Sequence, residues 1–428
     1  MRHIIKAVSR LVGVMLVFSI IASSALAQDR KLTYTGWLGG FAAFKDAIQA
    51  METEFERLNP GVDVVRSEVP YGNALNQARI STLGNNAPDV MLLSPGWIAD
   101  IQAIGGLEPL DGYLSEKEWS RIPKALRDAV TIDGKIYALA WHLGPILYYY
   151  NRNLFKQAGL DPDQPPQTWP ELMQAALKIC KLPPDGSAKI YGVALRTVRT
   201  PNAAQWSVPI IYGHGGDFYE DGKIKINTPA NRKAFKWIQD IVKAGCSPVG
   251  FAPAETRTAF SAAHAGFIFE GPWGRGLIQN MSGGKLKVAP DGDVWVAHMP
   301  KDPSGNWRTV GNGNQIVMSS QAKDKALAAK FIKFVTHDPN FTEMFFKSTA
   351  LIPTPNIDLL KSGVMGADAH TQIFVEALEH TNDTPIKHPK MVAILNELAP
   401  AMQAIMKGAN IEDELSRVDA KVKRLLSR

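Results

Sequence analysis

Tryptophan is the residue type whose placement most suggests chemistry in this chain. Trp37, Trp97, Trp141, Trp206, Trp273 and Trp307 fall in turn-like surroundings rather than on apolar helical stripes. The clearest setting is Gly271-Pro272-Trp273-Gly274-Arg275, where glycines and a proline bring backbone and ring to one place. An open indole presents a flat apolar face that suits the C–H face of a sugar ring or a cation. Nearby amides, hydroxyls and Arg can then bond a hydroxyl rim. A tryptophan at the edge of a lobe serves packing equally well, so each ring alone decides little. Arg275 could pair with an anionic group on a ligand, or equally with a surface or interlobe carboxylate.

Catalytic signatures are missing. There is no P-loop lysine motif, no Gly-x-Ser-x-Gly elbow and no His-Glu-x-x-His helix. Gly311-Asn312-Gly313-Asn314-Gln315 lacks the third glycine of a dinucleotide fingerprint, and His214-Gly215-Gly216 has no nucleophile turn to serve. The nine histidines show no metal-ligand spacing. No cofactor, metal or catalytic residue is therefore assigned. A glycosidase carboxylate pair could still hide among the acids, since sequence does not report the separation that matters.

The elements that must position these residues alternate between strand and helix. Leu32 to Trp37 reads as a strand running into the Gly39-Gly40 turn. Phe44, Ile48, Met51, Phe55 and Leu58 then form one helical stripe, stopped by Asn59-Pro60-Gly61. Val62 to Val69 is the next strand by its β-branched content. Asp89 to Leu93, bounded by Pro88 and Pro95, suits a strand buried on both faces. Thr168 and Glu171 make a capping box for a helix reaching Cys180. Gln315 to Met318 reads as a late strand, and Leu327, Phe331, Phe334 and Val335 form a stripe after Asp324. This pattern implies parallel sheet covered by helices, and the length favours two lobes over one core. In such folds ligands sit beyond the carboxyl ends of strands. That rule brings Trp37, Ser94 to Trp97, Trp141 with His142, and Gly311 to Asn314 toward a crevice.

Composition narrows the classes further. With 428 residues, 45% hydrophobic and 21% charged, the chain is globular rather than disordered or membrane-embedded. Arg2, Lys6 and Arg10 precede an uncharged run from Leu11 to Leu26 that ends in Ala25-Leu26-Ala27, the outline of a cleaved secretory signal peptide over residues 1–27. Its removal would halve the formal charge of +6. No concentrated basic stripe remains, so no nucleic-acid partner is expected. Two cysteines exclude a disulfide scaffold or a multi-cysteine metal module. Whether Cys180 and Cys246 pair is left open by the sequence.

Several passages together resemble a known family. They are Glu54 to Val64, Asn86 to Val90, Gly105 to Leu110, Asp133 to Leu139 with Tyr150 to Leu160, Pro166 to Leu172, and Phe269 to Trp273, in that order. They resemble the bacterial extracellular solute-binding proteins of ABC importers, the maltose-binding-protein-like class that mostly takes sugars. The resemblance implies an α/β fold of two lobes, each a mainly parallel sheet flanked by helices, with hinge crossings and a ligand cleft between them. It implies a first lobe of residues 28–140 and 296–345, and a second of 141–295 and 346–428. It also implies a monomeric periplasmic protein that is not an enzyme. Such a protein would close on a sugar, polyol or sugar phosphate and present it to ABC permease subunits in the membrane.

By the same resemblance Trp273 would be a stacking wall, with Trp37, Ser94, Trp97, Trp141 and His142 lying where the family's loops enter the cleft. Trp206 and Asp217 would face them from the second lobe, and Asn312 and Asn314 would approach from the hinge side. His142 departs from the acidic residue that some maltose-binding relatives carry near this point. Two other readings remain at this stage: a secreted carbohydrate-active enzyme, and a binding protein that feeds a membrane sensor.

Overall fold

A computed structural model describes residues 30–427, except 123, 143, 187, 221–222, 354–362, 383–387 and 389. The expected signal peptide lies outside the described residues. Along the chain run β1 (Arg30–Gly36), α1 (Lys45–Leu58), β2 (Val62–Glu68), α2 (Tyr71–Leu83), β3 (Val90–Leu93), β4 (Leu139–His142) and β5 (Leu147–Asn151). There follow α3 (Trp169–Ile179), β6 (Tyr191–Ala194), α4 (Pro201–Trp206), β7 (Ala265–Glu270), β8 (Val294–Ala297) and β9 (Asn314–Met318). The later helices used below are α5 (Lys325–His337), α6 (Pro339–Thr349), α7 (Ala369–Glu376) and α8 (Met391–Met406).

Two principal sheets result. The first has the order β2-β1-β3-β9-β4, and the second β8-β5-β7-β6. Helices cover both, so the architecture is two-lobed α/β. Within it the sheets are mixed rather than mainly parallel. β1 runs parallel to β2 and β3, and β7 parallel to β6. β9 is antiparallel to β3 and β4, and β5 is antiparallel to β7 and β8. The cause is topological. The stretch from β4 to β5 leaves the first sheet for the second, and the stretch from β8 to β9 returns. Two runs crossing in opposite directions can pair only antiparallel.

Local signals explain the elements. On α1, Ile48, Met51 and Phe55 are buried as the stripe requires, and Phe55 meets Phe331 of α5 edge-on at 5.0 Å. Phe44, at the N-cap, is buried with them, whereas Leu58, in the last turn, is 45% exposed, against expectation. All four residues of β3 are buried, as a strand covered on both faces demands. The α3 capping box is formed, with Thr168 accepting from the Glu171 N–H and Glu171 accepting from the Thr168 N–H at 3.1 Å. Gly192 of β6 admits this helix closely, because a Cβ there would stand 2.4 Å from the Ala176 carbonyl oxygen.

Cys180, which caps α3, is disulfide-bonded to Cys246. Cys246 also accepts the Gly192 N–H through its carbonyl at 2.9 Å. The bridge therefore ties helix, loop and strand of the second sheet together. Closing a loop with a sequence separation of 66 restricts the unfolded chain by about 4 kcal/mol in the loop-entropy view. Replacing both cysteines by serine should lower unfolding free energy by about 2–5 kcal/mol. Urea denaturation with and without reductant measures it; midpoints that coincide would deny the bridge any stabilising part.

Candidate functional site

Strand ends of the first sheet deliver three aromatic rings to one place. Trp37 follows β1, Trp97 follows β3 across a short turn, and Tyr71 opens α2. The Trp37 ring meets Tyr71 edge-on at 5.2 Å and Trp97 at 5.8 Å, while Tyr71 lies tilted against Trp97 at 5.1 Å. The Tyr71 hydroxyl is 3.1 Å from Ser94 Oγ. Rings in such arrangements hold one another rigidly and add stabilisation beyond the area they bury.

The second sheet contributes charge. β7 ends at Glu270, and Arg196 lies just past the end of its neighbour β6. The Glu270 carboxylate accepts from Arg196 at 2.7 Å, from Arg257 at 2.8 Å and from the Trp273 indole N–H at 2.6 Å. Arg196 also donates to Asn202 Oδ1 at 2.9 Å and lies 3.5 Å over the Trp206 ring. Trp206 is itself anchored by its indole N–H donating to the Phe269 carbonyl at 3.0 Å. Burial opposes ionisation of Glu270, but the Arg257 and Arg196 guanidinia and the Trp273 N–H outweigh it and hold the carboxyl down at about 2. Burial draws Arg196 down to about 10 against the pull of Glu270, which leaves it charged at neutral pH. Two guanidinia thus share one carboxylate beside two indoles.

The lobes meet over the crossings. Gln205 donates to Asn312 Oδ1 at 3.3 Å, and the Asn312 N–H donates to the Gly144 carbonyl at 2.7 Å. A Cβ on Gly144 would stand 2.5 Å from the Trp273 ring and 2.8 Å from the Gly313 nitrogen, so only glycine fits there. The His142 ring meets Trp273 edge-on at 5.9 Å. Burial pushes the Tyr71 phenol up, while Ser94, Arg196, Asn202 and Asn312 draw it the other way. Tyr71 of the first lobe is thus close enough to feel groups of the second lobe and of the hinge.

Of the residues nominated from sequence, Trp37, Ser94, Trp97, His142, Trp206, Trp273 and Asn312 come together at this junction. Asn314 borders it, paired with His142 where β9 slips register against β4. Trp141, Asp217 and Arg275 are placed elsewhere. Successive strand residues point to opposite faces, so Trp141 turns away from His142 and stacks on Phe345 of α6 at 5.5 Å. Asp217 binds Arg308 at 3.0 Å and caps the Tyr219 N–H. Arg275 is held by Asp368 at 2.7 Å. Sequence reasoning missed Tyr71, Arg196, Asn202, Gln205, Arg257 and Glu270. Glu270 did carry a signal, as an acid ending an apolar strand inside the passage from Phe269 to Trp273.

Two cavities lie beside the junction, the smaller of them reaching Trp37. One of about 440 Å³ sits between α2 and the β1 and β3 strands, walled in part by Thr35 and Gln321. A groove of about 1400 Å³ crosses the second lobe beside Trp169 and Trp237. Neither includes Arg196, Glu270 or Trp273. Among the described residues no group of His, Cys, Asp and Glu is arranged to hold a metal ion.

Residues 36–340 match the family model of bacterial extracellular solute-binding proteins. A binding protein of Brucella abortus is 25% identical over 419 residues, spanning 94% of this chain and 96% of its own. The maltotriose-binding protein of Pyrococcus abyssi is 23% identical, covering 88% of this chain and 78% of its own. Among solved structures, an ABC transporter solute-binding protein of Thermotoga lettingae bound with α-D-tagatose superposes with a TM-score of 0.84. It is 23% identical and covers 93% of this chain and 100% of its own, a likeness of fold.

The Glu270 cluster makes a checkable demand on stability. Its carboxyl sits below its ordinary 4.5, so its contribution is complete above that pH and drains away as pH falls toward about 2. Glu270→Ala strands two guanidinia and should cost about 3–5 kcal/mol at pH 7. In denaturant titrations from pH 7 to 2, the gap between variant and parent should narrow below pH 4.5; a constant gap would contradict the assignment.

Proposed function

We propose that this chain, which belongs to the bacterial extracellular solute-binding proteins, encloses a sugar or closely related polyol or sugar phosphate between its lobes and delivers it to an ABC permease. The observation that carries this reading is the facing of two unlike walls across the crossings. On one side stand Trp37, Tyr71 and Trp97; on the other, Trp206 and Trp273 backed by Arg196 and Glu270. Indole faces suit the C–H faces of sugar rings. Ser94, Asn202, Gln205 and Asn312 supply both donors and acceptors for hydroxyls. A solute touching both walls binds the closed arrangement better than an open one, and that difference is what drives closure.

The state of Glu270 argues for binding rather than turnover. A general acid works best with its pKa near the operating pH, whereas this carboxyl is held at about 2 and engaged by three donors. Such a group orients its neighbours and moves no proton at neutral pH. On this reading the protein acts in the periplasm after residues 1–27 are removed. The disulfide supports that location, because such bonds persist in exported proteins.

Intrinsic fluorescence of the mature chain, titrated with maltotriose, tagatose, polyols and sn-glycerol 3-phosphate, tests the reading. One compound should give a saturable shift, and Trp273→Ala should weaken its binding roughly 10- to 100-fold, as loss of a central aromatic anchor does. Trp141→Phe, in the first-lobe core, should leave affinity within twofold. Binding that ignores Trp273→Ala moves the site; no response from any compound defeats the substrate class.

A further inference from the structure

Trp273 stands on the turn from Gly271 to Arg275, and that turn is braced from behind. The Tyr149 hydroxyl, fully buried in β5, is 2.9 Å from the Gly271 carbonyl oxygen and 2.8 Å from His370 Nε2. His370 belongs to α7 and is 1% exposed. Asp368, the N-cap of α7, holds Arg275 at the other end of the turn at 2.7 Å. Space is tight between these ties. A Cβ on Gly274 would stand 2.8 Å from the Tyr149 ring, and one on Gly271 would stand 2.4 Å from the Trp273 ring.

The direction of the hydrogen bonds follows from counting protons. The Gly271 carbonyl only accepts, and a phenol carries one proton. Had Tyr149 donated to His370, two oxygens would face each other at 2.9 Å with no proton between them. His370 Nδ1 would then hold a buried N–H with no acceptor among the described residues, the rarer kind of orphan in folded proteins. The consistent arrangement is Nε2–H donating to Tyr149 Oη, and Oη–H donating to Gly271 O. It requires a proton on Nε2, and the neutral imidazole with Nδ1 bare supplies it without leaving a second buried N–H unpaired. Burial and then the neighbouring Arg275 push His370 well below its ordinary range, against the opposite pull of Asp368.

We propose that His370 and Tyr149 are positioning residues for solute binding: their buried hydrogen-bond chain fixes the Gly271 turn and so the angle at which Trp273 enters the cleft. This rests on the reading of Trp273 as a wall of the ligand site. Neither residue touches the junction itself; they act through the backbone of the turn. Nothing in the sequence pointed to the pair, whose members are separated by 221 positions.

The test uses the full mature chain labelled with 5-fluorotryptophan, the Trp273 resonance being assigned by its loss in Trp273→Phe. Without any solute, Tyr149→Phe should shift and broaden that resonance while Trp119 in the first lobe keeps its own. His370→Gln, whose amide can donate to Tyr149, should leave Trp273 near its parental position; His370→Leu should not. A Trp273 signal indifferent to Tyr149→Phe overturns the proposal. So does a ¹⁵N-histidine spectrum of the unmutated chain with the His370 proton on Nδ1, a measurement that no misfolded variant can spoil. With maltotriose, tagatose and sn-glycerol 3-phosphate as probes, Tyr149→Phe should weaken whichever binds about 3- to 10-fold, the worth of one net hydrogen bond. If Trp273→Ala leaves every probe's affinity intact while Tyr149→Phe still moves the fluorine signal, the function in binding is overturned and the chain of bonds is left as a structural tie.

Discussion

The structure depends on two backbone runs being shared by both sheets. β4 and β5 are one nearly continuous stretch, β8 and β9 bracket another, and the two lie antiparallel through the whole molecule. Between the sheets the pairing thins to a few bonds: Ile146 N–H to the Val310 carbonyl at 3.1 Å, Asn312 N–H to the Gly144 carbonyl at 2.7 Å, and a bridge between Pro145 and Gly311. A third segment runs beside them, with Pro353 against His142. A sheet interior resists bending because every backbone group is paired and side chains interlock. A two-run ribbon stripped of side chains at Gly144 and Gly313 does not. On the proposed reading, rotation that opens or shuts the junction would be taken up at this thin ribbon while each lobe moves as a body.

Putting charge beside that hinge has a cost that the structure meets by pairing. Burying Glu270 alone would push its carboxyl upward and discharge it. Three donors prevent this, and they come from different parts of the second lobe: Arg196 past β6, Arg257 from a helix, Trp273 from the turn after β7. The result is directional rather than chiefly stabilising, since buried ion pairs add little net stability. The carboxylate aligns Arg196 across the Trp206 face and pins the Trp273 ring. The side of the second lobe that faces the first is thus ordered by its own contacts, which on the proposed reading would reduce the ordering entropy of binding.

How much of this could be read beforehand follows from the range of each interaction. Strands such as β1 and β3, the α1 stripe and the α3 capping box are local in sequence, and local physics writes them plainly. The family likeness singled out the stretch from Asp133 to Leu160, which holds the run from β4 to β5, and the Gly-Pro-Trp turn. Strand alternation, applied strictly, would have separated Trp141 from His142, because adjacent residues on β4 cannot both face the junction. The partnership of Arg196 with Glu270 spans 74 positions and that of Gln205 with Asn312 spans 107. No periodicity encodes such pairs; only the finished topology brings them together. The mixed sense of the sheets was hidden for the same reason, since it follows from where the chain crosses and not from what any strand contains.

The same topology explains why the first-lobe wall is aromatic and the second-lobe wall charged. Trp37, Tyr71 and Trp97 sit beyond β1 and β3 and at the head of α2, each resting on the others, so their positions need no buried charge. The second wall must instead be held where β7 ends one turn before the chain enters a helix, with Gly271 and Gly274 leaving no side chain to pack behind the ring. Hydrogen bonds substitute for that missing packing, through Glu270 in front and through Gly271 and Arg275 behind. Glycine at those positions lets the indole lie close to the backbone, and the polar ties remove the freedom that glycine would otherwise confer. A mobile ring would lose entropy on stacking against a solute; if Trp273 serves as the proposed wall, that loss is already met in folding.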